Sequence, residues 1–157
     1  MEKVHMTPEG YKALEEELRS LKFSERPSIV EAIASARALG DLSENAEYHA
    51  AKDKQGFIEG RIRELESKLS RAEIIDIKKL SGKDVKFGAT VTVYEELSNE
   101  EITYKIVGVD EADIKKKLLS VEAPLARALI GKNVGDEIKL ATPSGKKNYE
   151  IVKIEYI

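Results

Sequence analysis

The chain has 157 residues and a net charge of −3, with charged residues of both signs at 35% and apolar residues at 41%. That length supports one domain or two small ones and the apolar share a soluble core, while the weak net charge excludes a basic nucleic-acid coat and the lack of a long apolar run excludes a membrane-spanning helix. Cysteine and tryptophan are absent and aromatics are 6%, which removes disulfides, thiolate metal sites, thiol nucleophiles and an aromatic platform for stacking bases.

The N-terminus carries no charged-then-apolar leader pattern, so a cytoplasmic location is expected. Thr7-Pro8 opens the first helix, Thr as N-cap and Pro at the first helical position, where its missing N–H costs no bond. Apolar residues then recur at spacings of three and four: Leu14, Leu18, Leu21, and after a missed beat at Glu25, Ile29, Ile33 and Ala36. The same spacing resumes at Tyr48, Ala51, Gln55 (a polar exception), Ile58, Ile62, Leu65 and Leu69. Each seam is that of a coiled coil. The two are mirror images about Asp41–Leu42: Ala36 faces Tyr48, Ile33 faces Ala51, Leu21 faces Ile62 and Leu14 faces Leu69. Such symmetry predicts two antiparallel helices folded about one centre, each arm about 30 residues or roughly 45 Å long at 1.5 Å per residue. The closed tip is Gly40–Glu44, and it is expected to stand far from the body the arms grow from. Pro27 predicts a break or kink near Lys22–Arg26 and two collinear or slightly bent helical pieces. Gly40 fits the left-handed position past a helix end. The second arm is expected from about Leu42 to Ala72–Ile75, running through Gly56 and Gly60.

Helical periodicity stops in a linker at 78–84, which divides a hairpin at 1–77 from a second domain at 85–157. There the pattern turns to short Val-, Ile- and Tyr-rich runs at Ala89–Tyr94, Ile102–Val109, Leu118–Val121, Glu137–Ala141 and Tyr149–Tyr156, separated by polar or Gly/Pro turns. Ala123–Gly131 reads as one short helix. The chain is therefore expected to be α+β, a helical hairpin followed by a small antiparallel sheet with one helix packed on it.

Asp41 and Glu44 at the tip support two readings. A capping box, in which Asp41 caps the second arm and Glu44 reaches back to it, is favoured by spacing alone. The other reading is a carboxylate pair held out on a stalk for a hard cation. Two carboxylates make a weak site unless another molecule supplies the remaining ligands, which is a use for a long stalk. Ser43 and Asn45 read as local backbone hydrogen-bonders. His5 and His49 do not form a metal pair by spacing.

The run Gly40-Asp41-Leu42-Ser43-Glu44-Asn45-Ala46-Glu47-Tyr48-His49-Ala50-Ala51-Lys52 resembles the tip signature of the bacterial GreA/GreB transcript cleavage factors. The resemblance continues in Arg26-Pro27, Gln55-Gly56-Phe57, Glu59-Gly60-Arg61-Ile62, Phe87-Gly88-Ala89-Thr90-Val91, Tyr104–Gly108, Asp110-Glu111-Ala112-Asp113 and Pro124–Gly131, and so spans the whole chain. It implies an FKBP-like C-terminal domain and a function in trans. Family members insert the coiled coil into the secondary channel of backtracked RNA polymerase and stimulate its own hydrolysis of the nascent RNA, so the chain is not itself expected to be an enzyme. Asp41 and Glu44 would act at the polymerase's catalytic centre by sharing a Mg²⁺ held jointly with it, with Tyr48 in support and no cofactor of the chain's own. Arg37 and Lys52 would contact the extruded RNA 3′ end, where phosphate attraction needs no sequence code. Ser120 and Pro124 would belong to the polymerase-docking surface. The expected partners are RNA polymerase and nascent RNA, with no membrane, and the chain is expected to be a monomer because its seam is filled from within. Three rival readings are a channel-occupying inhibitor without cleavage stimulation, a prolyl isomerase, and a dimerising coiled coil.

Overall fold

A computed structural model describes residues 2–157. The chain divides into two compact units, one of Tyr11–Ala72 with the extreme N-terminus, the other of Val4–Gly10 together with Glu73–Ile157. This division differs from the boundary at residue 77 expected from sequence. The residues before the first arm and those from Glu73 onward belong to the second unit because they pair there: strand β1 (Val4–Met6) and strand β2 (Ala72–Ile74) form a two-stranded sheet, and the Ile75 amide donates to the Met6 carbonyl at 2.8 Å. Strands this short carry too little alternation to be legible as sequence.

In the first unit the arms are α1 (Pro8–Ser20), α2 (Arg26–Arg37) and α3 (Ala46–Ser70). The seam is as read from the spacing. Ile29, Ile58 and Ile62 are buried together, with Leu18, Leu21, Ile33 and Ala51 packed against them, and Leu14, Ala36 and Leu65 are also buried. Each large apolar side chain among them contributes about 1.5–3 kcal/mol when fully removed from water. Between α1 and α2 the helix does not stop. It widens through a π turn at Leu21–Glu25, where the Arg26 amide reaches back to the Leu21 carbonyl. The reason is the missed beat. The interval from Leu21 to Ile29 is one residue longer than the facing interval from Gln55 to Ile62, and a π turn absorbs one surplus residue without rotating the seam away. Pro27, which has no N–H to donate, lies just beyond this turn, where the ladder is already interrupted.

Ion pairs flank the seam. Arg26 grips Glu59 with two bonds of 2.9 Å, Arg61 grips Glu17 at 3.0 and 2.8 Å, and Lys22 reaches Glu66 at 3.2 Å. Partly exposed pairs contribute only about 0–1 kcal/mol each, so they fix register more than they stabilise. Gly56 and Gly60 lie inside α3. A Cβ at Gly56 would meet nothing within 4 Å, so Gly56→Ala is expected to raise the hairpin's stability by about 0.5–1 kcal/mol, seen as a higher thermal midpoint; a lower midpoint would show that the backbone there is not relaxed helix.

In the second unit, strands β3 (Thr90–Glu95), β4 (Glu100–Val107), β5 (Leu118–Ser120), β6 (Glu137–Thr142) and β7 (Gly145–Glu155) form one sheet in the order β5-β4-β3-β7-β6. The α+β class stands, but the sheet is mixed: β5 pairs with β4 in parallel. The chain between them leaves the sheet through short 3-10 turns at Val109–Glu111 and Ile114–Lys116 instead of a hairpin, and a parallel partner needs such a crossover. Helix α4 (Pro124–Leu129) buries Leu125, Ala126 and Leu129 in the core with Val91, Val93, Ile106, Ile138 and Ile151. Tyr104 and Tyr149 are core residues too, and burial raises both phenol pKa values. Thr7 is the N-cap expected: its hydroxyl accepts from the Gly10 amide at 3.1 Å. The same hydroxyl donates to Glu111, whose carboxylate also accepts from the amides of Thr7 at 3.1 Å and Gly108 at 3.2 Å.

Candidate functional site at the hairpin tip

Helix α2 ends at Arg37, and the Leu39 amide closes on the Ala36 carbonyl at 3.1 Å. Gly40 follows with φ of +137°, a region that side chains rarely adopt. It reverses the chain into Asp41, which is extended and caps a single 3-10 turn at Leu42–Glu44. One Asp41 oxygen accepts from the Ser43 amide at 3.0 Å and the Ser43 hydroxyl at 2.9 Å. These bonds, the backbone one foremost, hold the Asp41 carboxyl below its ordinary range and keep it ionised.

The capping box is not formed. Helix α3 begins at Ala46 instead of Leu42, and its N-cap is Asn45, whose amide oxygen accepts from the Tyr48 amide at 3.0 Å. The Glu44 carboxylate is exposed and has no hydrogen bond or ion pair among the described residues. Asp41 keeps its second oxygen unengaged among them. Both carboxylates line one open depression with Leu39, Asn45, Ala46 and Glu47. Glu47, which the sequence reading did not single out, lies in the first turn of α3, across the extended Asn45 from Glu44.

Unshared carboxylate oxygens suit a hard cation. Among the described residues, however, no three His, Cys, Asp or Glu side chains are arranged to hold a metal ion. The tip thus offers two exposed carboxylates, fewer oxygen ligands than a hard cation takes.

Tyr48 occupies the last seam position before the tip and is half-buried, its ring edge-on to His49 at 5.6 Å. Arg37, in the last turn of α2, and Lys52, on α3, are both exposed, and Lys52 donates only to Gln55 at 3.3 Å. Their charges are therefore not neutralised by a carboxylate among the described residues. In the second unit Ser120 ends β5 and Pro124 opens α4, joined by a tight turn in which the Ala123 amide donates to the Ser120 carbonyl at 2.9 Å and the Glu122 amide to the Ser120 hydroxyl at 3.2 Å. Pro124 is exposed.

Ser43→Ala removes one of the two bonds to Asp41 and leaves the backbone one. The Asp41 carboxyl is expected to titrate at a higher pH than in the wild type while staying below the ordinary aspartate value, read from its side-chain NMR shift. A depressed native value means that whatever the turn gains from this carboxylate is present above the ordinary carboxyl range and lost as pH falls through the native midpoint. An unmoved midpoint would remove the hydroxyl as a cause.

No helix among the described residues is long and apolar enough to cross a membrane. Residues 4–74 match the family model for the N-terminal part of GreA/GreB transcription elongation factors, and residues 80–156 match that for the C-terminal part. The chain is 59% identical over 157 residues to the transcription elongation factor GreA of Phenylobacterium zucineum (strain HLK1), covering 100% of both chains. It is 60% identical to that of Methylobacterium sp. (strain 4-46), covering 100% of this chain and 99% of the relative. Among solved structures it is similar to a GreA/GreB factor from Nitrosomonas europaea at 25% identity, covering 98% of this chain and 100% of that one with a TM-score of 0.43. With tip, seam and both family matches in agreement, the chain belongs to the GreA/GreB family of transcription elongation factors.

Proposed function

We propose that the hairpin enters the secondary channel of RNA polymerase when the enzyme has backtracked, and that the tip stimulates the polymerase's own hydrolysis of the extruded RNA, rescuing arrested complexes. The observation that carries this reading is the pair of exposed carboxylates at Asp41 and Glu44 whose oxygens are not consumed in capping α3. Asp41 and Glu44 would hold a Mg²⁺ jointly with the polymerase, and that ion would supply one half of a two-metal stabilisation of phosphodiester hydrolysis, in which one ion favours the nucleophile and the other the leaving oxygen. The Ser43 bonds lower the Asp41 pKa, so its carboxylate stays ionised to lower pH than an ordinary aspartate. Tyr48 keeps the tip's base packed. Arg37 and Lys52, without acidic partners among the described residues, attract the RNA phosphates. Ser120 and Pro124 contribute to docking of the second unit on the polymerase. The hydrolytic machinery belongs to the polymerase, so the chain acts as a monomeric factor, in the cytoplasm, and not as an enzyme.

The test is RNA cleavage in stalled, backtracked elongation complexes with and without the protein. Shortened RNA with a new, extendable 3′ end is expected to form much faster with the protein than without it, and in either case only when Mg²⁺ is present. Slowed nucleotide addition with no cleavage would instead assign the protein as a channel-occupying inhibitor.

A further inference from the structure

Asn45 makes two bonds that no other side chain near the tip could make together. Its oxygen accepts from the Tyr48 amide at 3.0 Å, which is one of the orphan donors at the start of α3. Its nitrogen donates to the Ala36 carbonyl at 2.5 Å, in the last turn of α2, an oxygen that also accepts from the Leu39 amide. The orientation of the amide is fixed by its partners, since an N–H can only be met by the oxygen and a C=O only by the nitrogen. The side chain is half-buried, so water competes weakly for both bonds. Everything between these two anchor points is the turn that carries Asp41 and Glu44, tied to the end of α2 by the Ala38 and Leu39 amides, both of which donate to the Ala36 carbonyl.

We propose that Asn45 is a positioning residue for the cleavage reaction. It clasps the end of one arm to the start of the other and thereby fixes where the Asp41–Glu44 turn presents its carboxylates. This rests on the reading that the tip carboxylates act in cleavage, and deepens it. The chemistry of the clasp is specific. Asp has the acceptor but no donor, and would set a carboxylate against the Ala36 carbonyl. Ser caps a helix about as well as Asn, but its single hydroxyl is too short to serve both arms. Gln is a methylene longer and is a poor cap. A carboxylate displaced by about 1 Å from its working position loses roughly a hundredfold in rate, so a clasp is worth having even where the helix would form without it.

The test compares Asn45→Ser and Asn45→Asp with wild type and with Asp41→Asn in backtracked complexes, measuring the cleavage rate at saturating protein and, separately, the concentration that half-saturates it. Both Asn45 variants keep an acceptor for the Tyr48 amide, so the thermal midpoint and the hydrogen-exchange protection of that amide are expected to persist. The saturating rate is expected to fall about ten- to a hundredfold, with half-saturation within about twofold of wild type. A helix cap alone would leave the saturating rate unchanged, so wild-type rates for both Asn45 variants beside an inactive Asp41→Asn would overturn the clasp and leave the tip reading standing. An Asp41→Asn protein as active as wild type would overturn the tip reading and the positioning role with it. Loss of the thermal midpoint in both Asn45 variants would likewise overturn the clasp, by showing that Asn45 is needed for the hairpin to form.

Discussion

Asp41→Asn combined with Glu44→Gln is expected to reduce cleavage in backtracked complexes by about 10²- to 10³-fold, the scale on which a lost electrostatic stabiliser acts, while leaving the fold and polymerase binding intact. The structure gives the reason that fold and function separate here. Asn at position 41 retains an oxygen for the Ser43 amide, so the 3-10 turn keeps its cap. Gln at 44 replaces a carboxylate that bonds to nothing else among the described residues. Helix α3 is capped by Asn45 and does not depend on either acid. Far-ultraviolet circular dichroism should be unchanged, and the variant should compete with wild type for the polymerase at similar concentration. Undiminished cleavage would mean that the tip acts by shape alone.

The second large effect falls on stability. Ile62 is 2% exposed and packs with Ile29 and Ile58 in the middle of the hairpin. Ile62→Ala is expected to cost about 2–5 kcal/mol, the transfer energy of the lost atoms plus the cavity they leave. A hairpin one helix thick on each side cannot collapse around such a gap from a third direction, which places the cost toward the upper end. Because the chain forms two compact units, calorimetry should show the hairpin's transition moving down while that of the sheet unit stays. A single transition shifted as a whole would mean that the two units unfold together. The flanking pairs Arg26–Glu59 and Arg61–Glu17 are too exposed to compensate.

The residues that carry the family resemblance divide by role once placed in the fold. Arg26, Glu59, Arg61 and Ile62 hold the arms in register. Gly88 takes a positive φ of 87° with Ile77 pressed against it, and Glu111 anchors Thr7 ahead of α1. In the tip run, Glu44 has no hydrogen bond or ion pair among the described residues, so its charge is not spent on the fold.

The sequence by itself determined the hairpin, its seam and its centre at Asp41–Leu42, because heptad spacing is a local property and an antiparallel fold makes the two halves of that spacing symmetric. It also determined the strand-rich second unit, the Thr7 cap and the short helix at Pro124, each of which rests on signals a few residues long. Three features were decided only by the tertiary structure. The surplus residue between Leu21 and Ile29 became a π turn and not a break, because packing of the seam on both sides leaves the wide turn as the way to keep both ends in register. The cap of α3 went to Asn45 over Asp41, though both residue types cap well, because Asn45 alone can also reach the Ala36 carbonyl of the other arm, a partner that exists only once the arms have packed. Strand β5 joined β4 in parallel because the chain between them returns through turns whose course depends on contacts remote in sequence, including the Glu111 bonds to Thr7. In each case local propensity allowed two outcomes, and a partner distant along the chain selected one.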